Sequence, residues 1–518
     1  LINWVQVILA IGGLRIGARW LLYGLKLKKE SRSGTNVLIY GAGDAGLQLV
    51  SALMRSSQYN PVGFIDDSKE LQNNQVAGLN IFSIELIGSL INKMKVDEIL
   101  IAMPSVSRAK KRSILEKLEQ YSVVVRILPG MSELAQGKVS IRDLRKVSIK
   151  DLLGRDIVVP NQTLLGANIV NKFVMVTGAG GSIGSELSRQ ILFLKPKAII
   201  LYEMNELALY KIENELVSLN IADVKIYPIL GSINNQARFK NVLDHYGVNT
   251  IYHTAAYKHV PMVEFNITEG IYNNVFGTLK CALNAIDSKV ETFVLISTDK
   301  AVRPTNTMGA SKRCAELIIQ ALSSEQSNTL FSMVRFGNVL GSSGSVIPLF
   351  ENQIKRGGPV TVTDINIVRY FMTIPEAVEL VIQAGAMAEG GDVFVLDMGK
   401  PVKIYDLAKD MIKLSGLQVL DRDNPEGDIE IKFTGLRPGE KLYEELLVGK
   451  NTSKTDNKLI MRAQEDMISW DTLSPLLDGL KHSLMANEYE KTQALLINIV
   501  PEFSPQSAIV DLLYKKNG

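Results

Sequence analysis

The chain has 518 residues, of which 46% are hydrophobic, 21% charged and 7% aromatic, enough apolar material for large buried cores and too much for a disordered chain. At roughly 100 to 200 residues per domain, about two to four domains are expected, and a small stapled scaffold is excluded. Lys plus Arg exceed Asp plus Glu by only +3, so nucleic acid is a poor partner; two cysteines, Cys281 and Cys314, exclude a disulfide framework, and four histidines without a cysteine pair leave no zinc-ligand spacing.

Leu1 to Leu14 is an apolar run broken by Arg15 and Arg19. A spanning helix needs about 20 apolar residues, so the run reads as the end of a membrane helix whose earlier part is missing. An amphipathic exit follows, with Trp20, Tyr23 and basic Lys26, Lys28 and Lys29, residues that suit a cytoplasmic membrane face. An ordinary amphipathic helix on the first domain is the alternative for residues 1–30. From residue 31 to 135, short β-rich runs alternate with helical stretches: Val37 to Tyr40, Val62 to Ile65, Glu98 to Ala102 and Val123 to Leu128. A connector is expected over 136–165. A second series fills 166–518, with runs at Phe173 to Thr177, Ala198 to Glu203, Val224 to Leu230, Thr250 to Thr254, Thr292 to Thr298 and Leu330 to Phe336. After Pro348 the pattern loosens, and Val360 to Thr363, Val393 to Asp397 and Ile429 to Phe433 read as a smaller lobe. The predicted fold class is α/β: two tandem Rossmann-like doubly wound domains, the second with a smaller α/β substrate lobe.

Each domain opens on a glycine loop between a strand and a helix. Gly41-Ala42-Gly43-Asp44-Ala45-Gly46, with Asp66 and Asp67 about twenty residues on, has the G-x-G-x-x-G spacing that lets backbone approach a pyrophosphate at a helix N-terminus. This loop alone leaves a bound nucleotide and an empty structural sheet equally open. The second loop, Gly178-Ala179-Gly180-Gly181-Ser182-Ile183-Gly184, carries more weight because Glu203 ends the next strand. A carboxylate there accepts hydrogen bonds from an adenosine ribose diol and repels a 2′-phosphate, which favours NAD over NADP.

The run Thr292 to Ser297 delivers Thr298-Asp299-Lys300 to a strand's carboxyl end, the edge where ligands sit in open α/β sheets. Met308-Gly309-Ala310-Ser311-Lys312 has the Y-x-x-x-K spacing of short-chain dehydrogenase/reductases with methionine in place of tyrosine. Residues i and i+4 share a helix face, which would aim Lys312 at the nicotinamide ribose. Here the chain resembles an extended short-chain dehydrogenase/reductase.

The resemblance narrows over His253 to Glu264, Asn273-Asn274-Val275-Phe276-Gly277-Thr278, Arg335 to Ser342, Arg369-Tyr370-Phe371-Met372 and Arg437-Pro438-Gly439-Glu440-Lys441. In these motifs, and in the connector Asp151-Leu152-Leu153-Gly154-Arg155, the chain is similar to the membrane-anchored nucleotide-sugar 4,6-dehydratases of bacterial polysaccharide synthesis, the CapD/WbpM type. That resemblance covers nearly the whole chain. It implies several N-terminal membrane helices, catalytic domains in the cytoplasm at the inner membrane, a homo-oligomer, UDP-N-acetylglucosamine as substrate and a UDP-4-keto-6-deoxy sugar as product. It places Ser232, Ile233, Ala255 and Ala256 along the dinucleotide, although related enzymes often carry aspartate at the position of Ser232. It sets Lys258, Asn274, Asn338, Ser342, Arg369 and Arg437 toward the substrate.

The expected chemistry follows from the reaction. Removing water across C5 and C6 of a sugar requires an acidic C5 hydrogen, which oxidation at C4 supplies, and the hydride later returns to C6. Asp299 is expected to donate a proton to the C6 oxygen, Lys300 to take the C5 proton and Thr298 to bond the C4 oxygen. Lys300 can act as a base only with a lowered pKa, and Lys312 and the nicotinamide charge would push that way. Met308 cannot pass on a proton, so the tyrosine's role falls to Asp299, Thr298 or water. Arg369 and Arg437 could clamp the UDP phosphates or close structural ion pairs, and His253 and His259 read as packing or hydrogen-bonding residues. The competing functions are a nucleotide-sugar 4-epimerase, which needs no acid/base pair at C5 and C6, and a noncatalytic nucleotide-responsive scaffold.

Overall fold

Short apolar runs bounded by glycine and turn residues fold as buried parallel strands in both halves of the chain. The computed structural model describes residues 34–118, 121, 123–128, 144–147, 149–153, 158–445 and 452–515. The membrane-helix assignment over 1–30 and part of the connector lie outside them. Among the described residues no helix is long and apolar enough to cross a membrane. The chain divides into two compact units: Leu1–Leu152 with Ile412–Gln418, and Leu153–Met411 with Val419–Gly518.

The first unit holds a seven-stranded sheet of β1 (Thr35–Tyr40), β2 (Tyr59–Ile65), β3 (Gln75–Val76), β4 (Leu79–Phe82), β5 (Glu98–Ile101), β6 (Val124–Ile127) and β7 (Arg145–Lys146), in the order β3-β4-β2-β1-β5-β6-β7. Strand β1 lies parallel between β2 and β5, and its Val37, Leu38, Ile39 and Tyr40 are fully buried. Burial on both faces explains why β1 reads as a continuous apolar run. The glycine loop follows it and opens helix α1 (Asp44–Leu53). The β3-β4 hairpin left no mark in the hydrophobic pattern because its residues are mostly exposed or half-buried.

In the second unit the nine-stranded sheet is built from β8 (Phe173–Thr177), β9 (Ala198–Glu203), β10 (Lys225–Leu230), β11 (Thr250–His253), β12 (Thr292–Ile296), β13 (Leu330–Arg335), β14 (Asp392–Leu396), β15 (Thr452–Lys454) and β16 (Ile460–Ala463). Its order is β10-β9-β8-β11-β12-β13-β14-β16-β15. The chain winds outward from β8 in one direction and from β11 in the other, so the β8/β11 edge is the topological switch point, where ligands enter such sheets.

One strand sits elsewhere than expected. The run assigned to the smaller lobe as Val393 to Asp397 is β14 of the main sheet, parallel beside β13. Its Val393, Phe394, Val395 and Leu396 are buried without alternation, the pattern of a strand covered on both faces. The lobe itself uses Val360–Val362 and Val419–Leu420 on either side of Ile429–Phe433.

Helix α2 (Ser182–Phe193) follows the second glycine loop, α3 (Glu206–Ser218) follows β9, and α4 (Thr307–Glu325) carries Met308 and Lys312. Residues Thr307 to Leu322 of α4 are all buried, because the helices Trp470–Met485 and Tyr489–Ile499 share its core. Encased on every side, α4 shows no clear amphipathic stripe.

Candidate active site

The second glycine loop is shaped by close approach. A Cβ on Gly180 would lie 2.5 Å from the Ala208 side chain of α3, and one on Gly184 only 2.1 Å from the Gly178 carbonyl oxygen. Only glycine permits both contacts, and the loop's N–H groups therefore remain at the start of α2. Glu203 is buried, and its carboxylate accepts the Gly180 N–H at 3.0 Å and the Met204 and Asn205 N–H groups at 2.9 Å each. The strand-end carboxylate thus ties the loop to β9. Ala255 lies against Gly178, its N–H 3.4 Å from Thr177 Oγ1. Ser182 receives the Ser343 N–H at 3.2 Å, which brings the Gly341 to Ser345 loop beside the glycine loop. Ser232 caps its own turn through Asn234 N–H at 3.2 Å, and Ile233 is buried in the core.

Strand β12 ends in a tight turn, and the start of α4 presses against it: a Cβ on Gly309 would fall 2.2 Å from the Lys300 carbonyl oxygen. Asp299 is 1% exposed, and its Oδ1 accepts the Thr298 hydroxyl at 2.9 Å and the Lys300 ammonium at 2.9 Å. Lys300 Nζ also reaches Asn338 Oδ1 at 3.2 Å and Glu444 Oε1 at 3.5 Å. Glu444 in turn lies 3.7 Å from Arg369 Nε, and Arg369 Nη2 lies 3.4 Å from Glu440 Oε1. Acids and bases alternate along this row. Among the described residues Asp299 Oδ2 and Glu444 Oε2 are buried acceptors without a hydrogen-bond partner, an arrangement that is costly until a donor arrives.

Lys300 departs from expectation. Burial would lower its pKa, but Asp299 and Glu444 outweigh that penalty and the opposing Arg369, so it stays above the ordinary lysine value. A fifth of its side chain remains exposed, which weakens the burial penalty and leaves the direction upward. Lys312, by contrast, is brought down to about 8 by burial against the opposing pull of Glu316. Its Nζ donates to the Ile296 carbonyl at 2.7 Å, and Met308 beside it is 3% exposed.

Other expected contacts are already taken. Asn274 is buried, accepting Tyr257 N–H at 2.8 Å and donating to Tyr257 O at 2.9 Å and Ser311 Oγ at 3.1 Å. These bonds tie it to the 254–258 loop. Arg369 is buried, donates to the Val368 and Leu442 carbonyls and lies within ion-pair distance of both glutamates. Arg437 is exposed; its backbone N–H donates to Glu440 Oε2 at 3.1 Å. Lys258 is exposed and Ser342 is buried. His253 is buried between Thr177 and Thr278 at 2.8 and 3.1 Å, and burial, with Lys312 nearby, brings its pKa down to about 3. It is a neutral strut. Among the described residues no group of three His, Cys, Asp or Glu side chains could hold a metal.

Sequence reasoning missed Glu444, Ser297 and Glu316. Glu444 lies three residues past the quoted Arg437–Lys441 motif, and only three-dimensional proximity brings it to Lys300.

A glycine loop at the switch point, a strand-end carboxylate and an acid/base dipeptide at a neighbouring strand tip define a Rossmann-type domain of the short-chain dehydrogenase/reductase class. The sequence profile of the polysaccharide biosynthesis protein family matches residues 174–465, and that of a CoA-binding domain matches residues 1–129. Capsular polysaccharide biosynthesis protein CapD of Staphylococcus aureus is 44% identical over 450 residues, covering 86% of this chain and 74% of that protein. Probable polysaccharide biosynthesis protein EpsC of Bacillus subtilis is 43% identical over 447 residues, covering 86% and 73%. A UDP-glucose 4-epimerase of Rickettsia rickettsii is 34% identical over 295 residues, covering 56% and 81%. The chain belongs to the polysaccharide biosynthesis protein family, with CapD and EpsC among its relatives.

Proposed function

We propose that the chain is an NAD-dependent UDP-N-acetylglucosamine 4,6-dehydratase that makes a UDP-4-keto-6-deoxy-N-acetylhexosamine for surface polysaccharide or glycan synthesis. The observation that carries this reading is the Asp299–Lys300 pair, hydrogen-bonded at 2.9 Å on the tip of β12. A glycine loop that tolerates no Cβ and a buried Glu203 fit a dinucleotide, and Glu203 favours NAD over NADP. Bound NAD would supply the hydride acceptor and donor for oxidation at C4 and reduction at C6.

The residues handle the protons. Lys300 enters as a cation held on Asp299. As a sugar displaces water, the proton can pass over the 2.9 Å contact to Asp299, giving a neutral acid and a neutral amine of unchanged total charge. The Lys300 amine then takes the C5 proton, and the Asp299 acid protonates the C6 oxygen, which departs as water. The correction to Lys300 changes its resting state and keeps its role.

Work at the inner face of the cytoplasmic membrane is part of this reading, supported by the aromatic and basic residues that follow the apolar N-terminal run. The likeness to a UDP-glucose 4-epimerase favours a second reading, in which hydride returns to C4 on the opposite face. Incubation with UDP-N-acetylglucosamine and mass analysis of the product separates the two. A loss of about 18 mass units supports dehydration, and an unchanged mass with inverted C4 supports epimerisation.

A further inference from the structure

The row of charges around Lys300 contains one carboxylate that the dehydration steps do not use. Glu444 comes from the substrate lobe, its side chain is 3% exposed, and its Oε1 lies 3.5 Å from Lys300 Nζ and 3.7 Å from Arg369 Nε. Its Oε2 is buried and has no hydrogen-bond partner among the described residues. The charged groups facing Lys300 are Asp299 from its own turn and Glu444 and Arg369 from the lobe, while Asn338 faces it uncharged. A carboxylate placed between two cations and left one acceptor short serves more than packing, since an apolar side chain would fill the space without a desolvation cost.

We propose that Glu444 is a positioning residue for the acid/base pair: bridging Lys300 and Arg369, it holds the lysine charged and aimed at Asp299 until a hydroxyl-bearing ligand occupies its second oxygen. A hydroxyl donating to Oε2 draws negative charge away from Lys300. The proton on Lys300 is then released more readily toward Asp299, so the base is made when substrate arrives. In the empty site the amine stays protected. The electrostatic part of this inference stands without the dehydratase reading; only its timing by substrate rests on it.

The test measures the amine directly. Lys300 in the intact chain is labelled with an amine-selective acylating reagent at fixed pH near 9, and peptide mass analysis reads its rate against surface lysines. Glu444→Gln keeps the shape and removes the charge, so Lys300 labelling is expected to rise about tenfold or more, equivalent to at least one pKa unit. Glu444→Asp keeps the charge and is expected to stay much closer to the wild-type rate. Arg369→Met removes the opposing cation and is expected to slow labelling, the opposite sign, which a packing role would not produce. Equal acceleration by Gln and Asp, or acceleration in Arg369→Met, overturns the proposal; should Glu444→Gln not fold, the Arg369→Met sign alone decides. If the labelling results hold while wild-type protein releases no water from UDP-N-acetylglucosamine, the dehydratase reading fails and the charge-setting role of Glu444 stands.

Discussion

Glu316 is fully buried against Arg335, and replacing it with glutamine tests how the strand tip is held. Its Oε1 accepts Ser297 Oγ at 2.6 Å and Arg335 Nε at 2.7 Å, and its Oε2 accepts Arg335 Nη2 at 2.5 Å and Arg313 Nη1 at 3.1 Å. Glu316 and Arg335 are both 0% exposed, and Glu465 bridges the two arginines from the other side. Burial raises the Glu316 pKa, but the arginines and Ser297 overcome it and take it from 4.5 to about 2. The depression corresponds to roughly 3 kcal/mol, within the ~3–5 kcal/mol expected for breaking a buried pair. Because the folded value is depressed, this contribution is complete well above 4.5 and declines as pH falls toward 2; at pH 3 less than half of it remains. Glu316→Gln should therefore be ~3–5 kcal/mol less stable at pH 7, and the gap should narrow by about 2 kcal/mol at pH 3. Urea unfolding followed by Trp470, whose helix shares the core of α4, measures both values. A variant within about 1 kcal/mol of wild type at pH 7, or a gap independent of pH, would refute the reasoning.

Asp299→Asn and Lys300→Ala should each lower turnover by about a hundredfold or more while NAD binding, followed by calorimetric titration, persists; near-normal rates would remove the assigned proton roles. Gly180→Ala forces a Cβ to within 2.5 Å of Ala208, and overpacking of ~1–3 kcal/mol should weaken NAD binding by roughly five- to a hundredfold. Unchanged affinity in that variant would mean that the loop does not cradle the dinucleotide.

Much of the second unit could be read from residues that are contiguous in the chain. β8 and β9 end where the apolar runs end, because each is covered on both faces and stopped by a turn residue. The glycine loop and Thr298-Asp299-Lys300 were equally visible, since a loop's chemistry is written in neighbouring residues. What escaped was long-range. Strand β16 pairs antiparallel with β14 and the edge strand β15 antiparallel with β16, and nothing in their short, mixed sequences fixes that pairing. Glu316 reaches Arg335 across 19 residues, and Glu444 reaches Lys300 across 144. Such pairs leave no periodicity. The expected direction for Lys300 failed for the same reason: the sequence placed one cation, Lys312, in the neighbourhood and gave no sign that a second carboxylate from the lobe would face it.

The methionine at position 308 now has a physical setting. It is buried beside Lys312, whose ammonium is already committed to the Ile296 carbonyl. A thioether there neither accepts nor donates a proton, so under the dehydratase reading the C4 hydroxyl must lose its proton to another group. At the strand tip Thr298 donates to Asp299, and Lys300 donates to the same Asp299 oxygen, leaving Asp299 Oδ2 as a buried acceptor without a partner among the described residues. A hydroxyl donating to that oxygen would join one continuous chain of polar hydrogens from Thr298 through Asp299 to Lys300. The same small cluster can then accept the C4 proton, provided one proton passes on to solvent before the Lys300 amine takes the C5 proton, which removes the need for a separate tyrosine. The cost is that one substitution at Asp299 disables both the oxidation and the elimination, whereas in a site with an independent tyrosine the two half-reactions would fail separately.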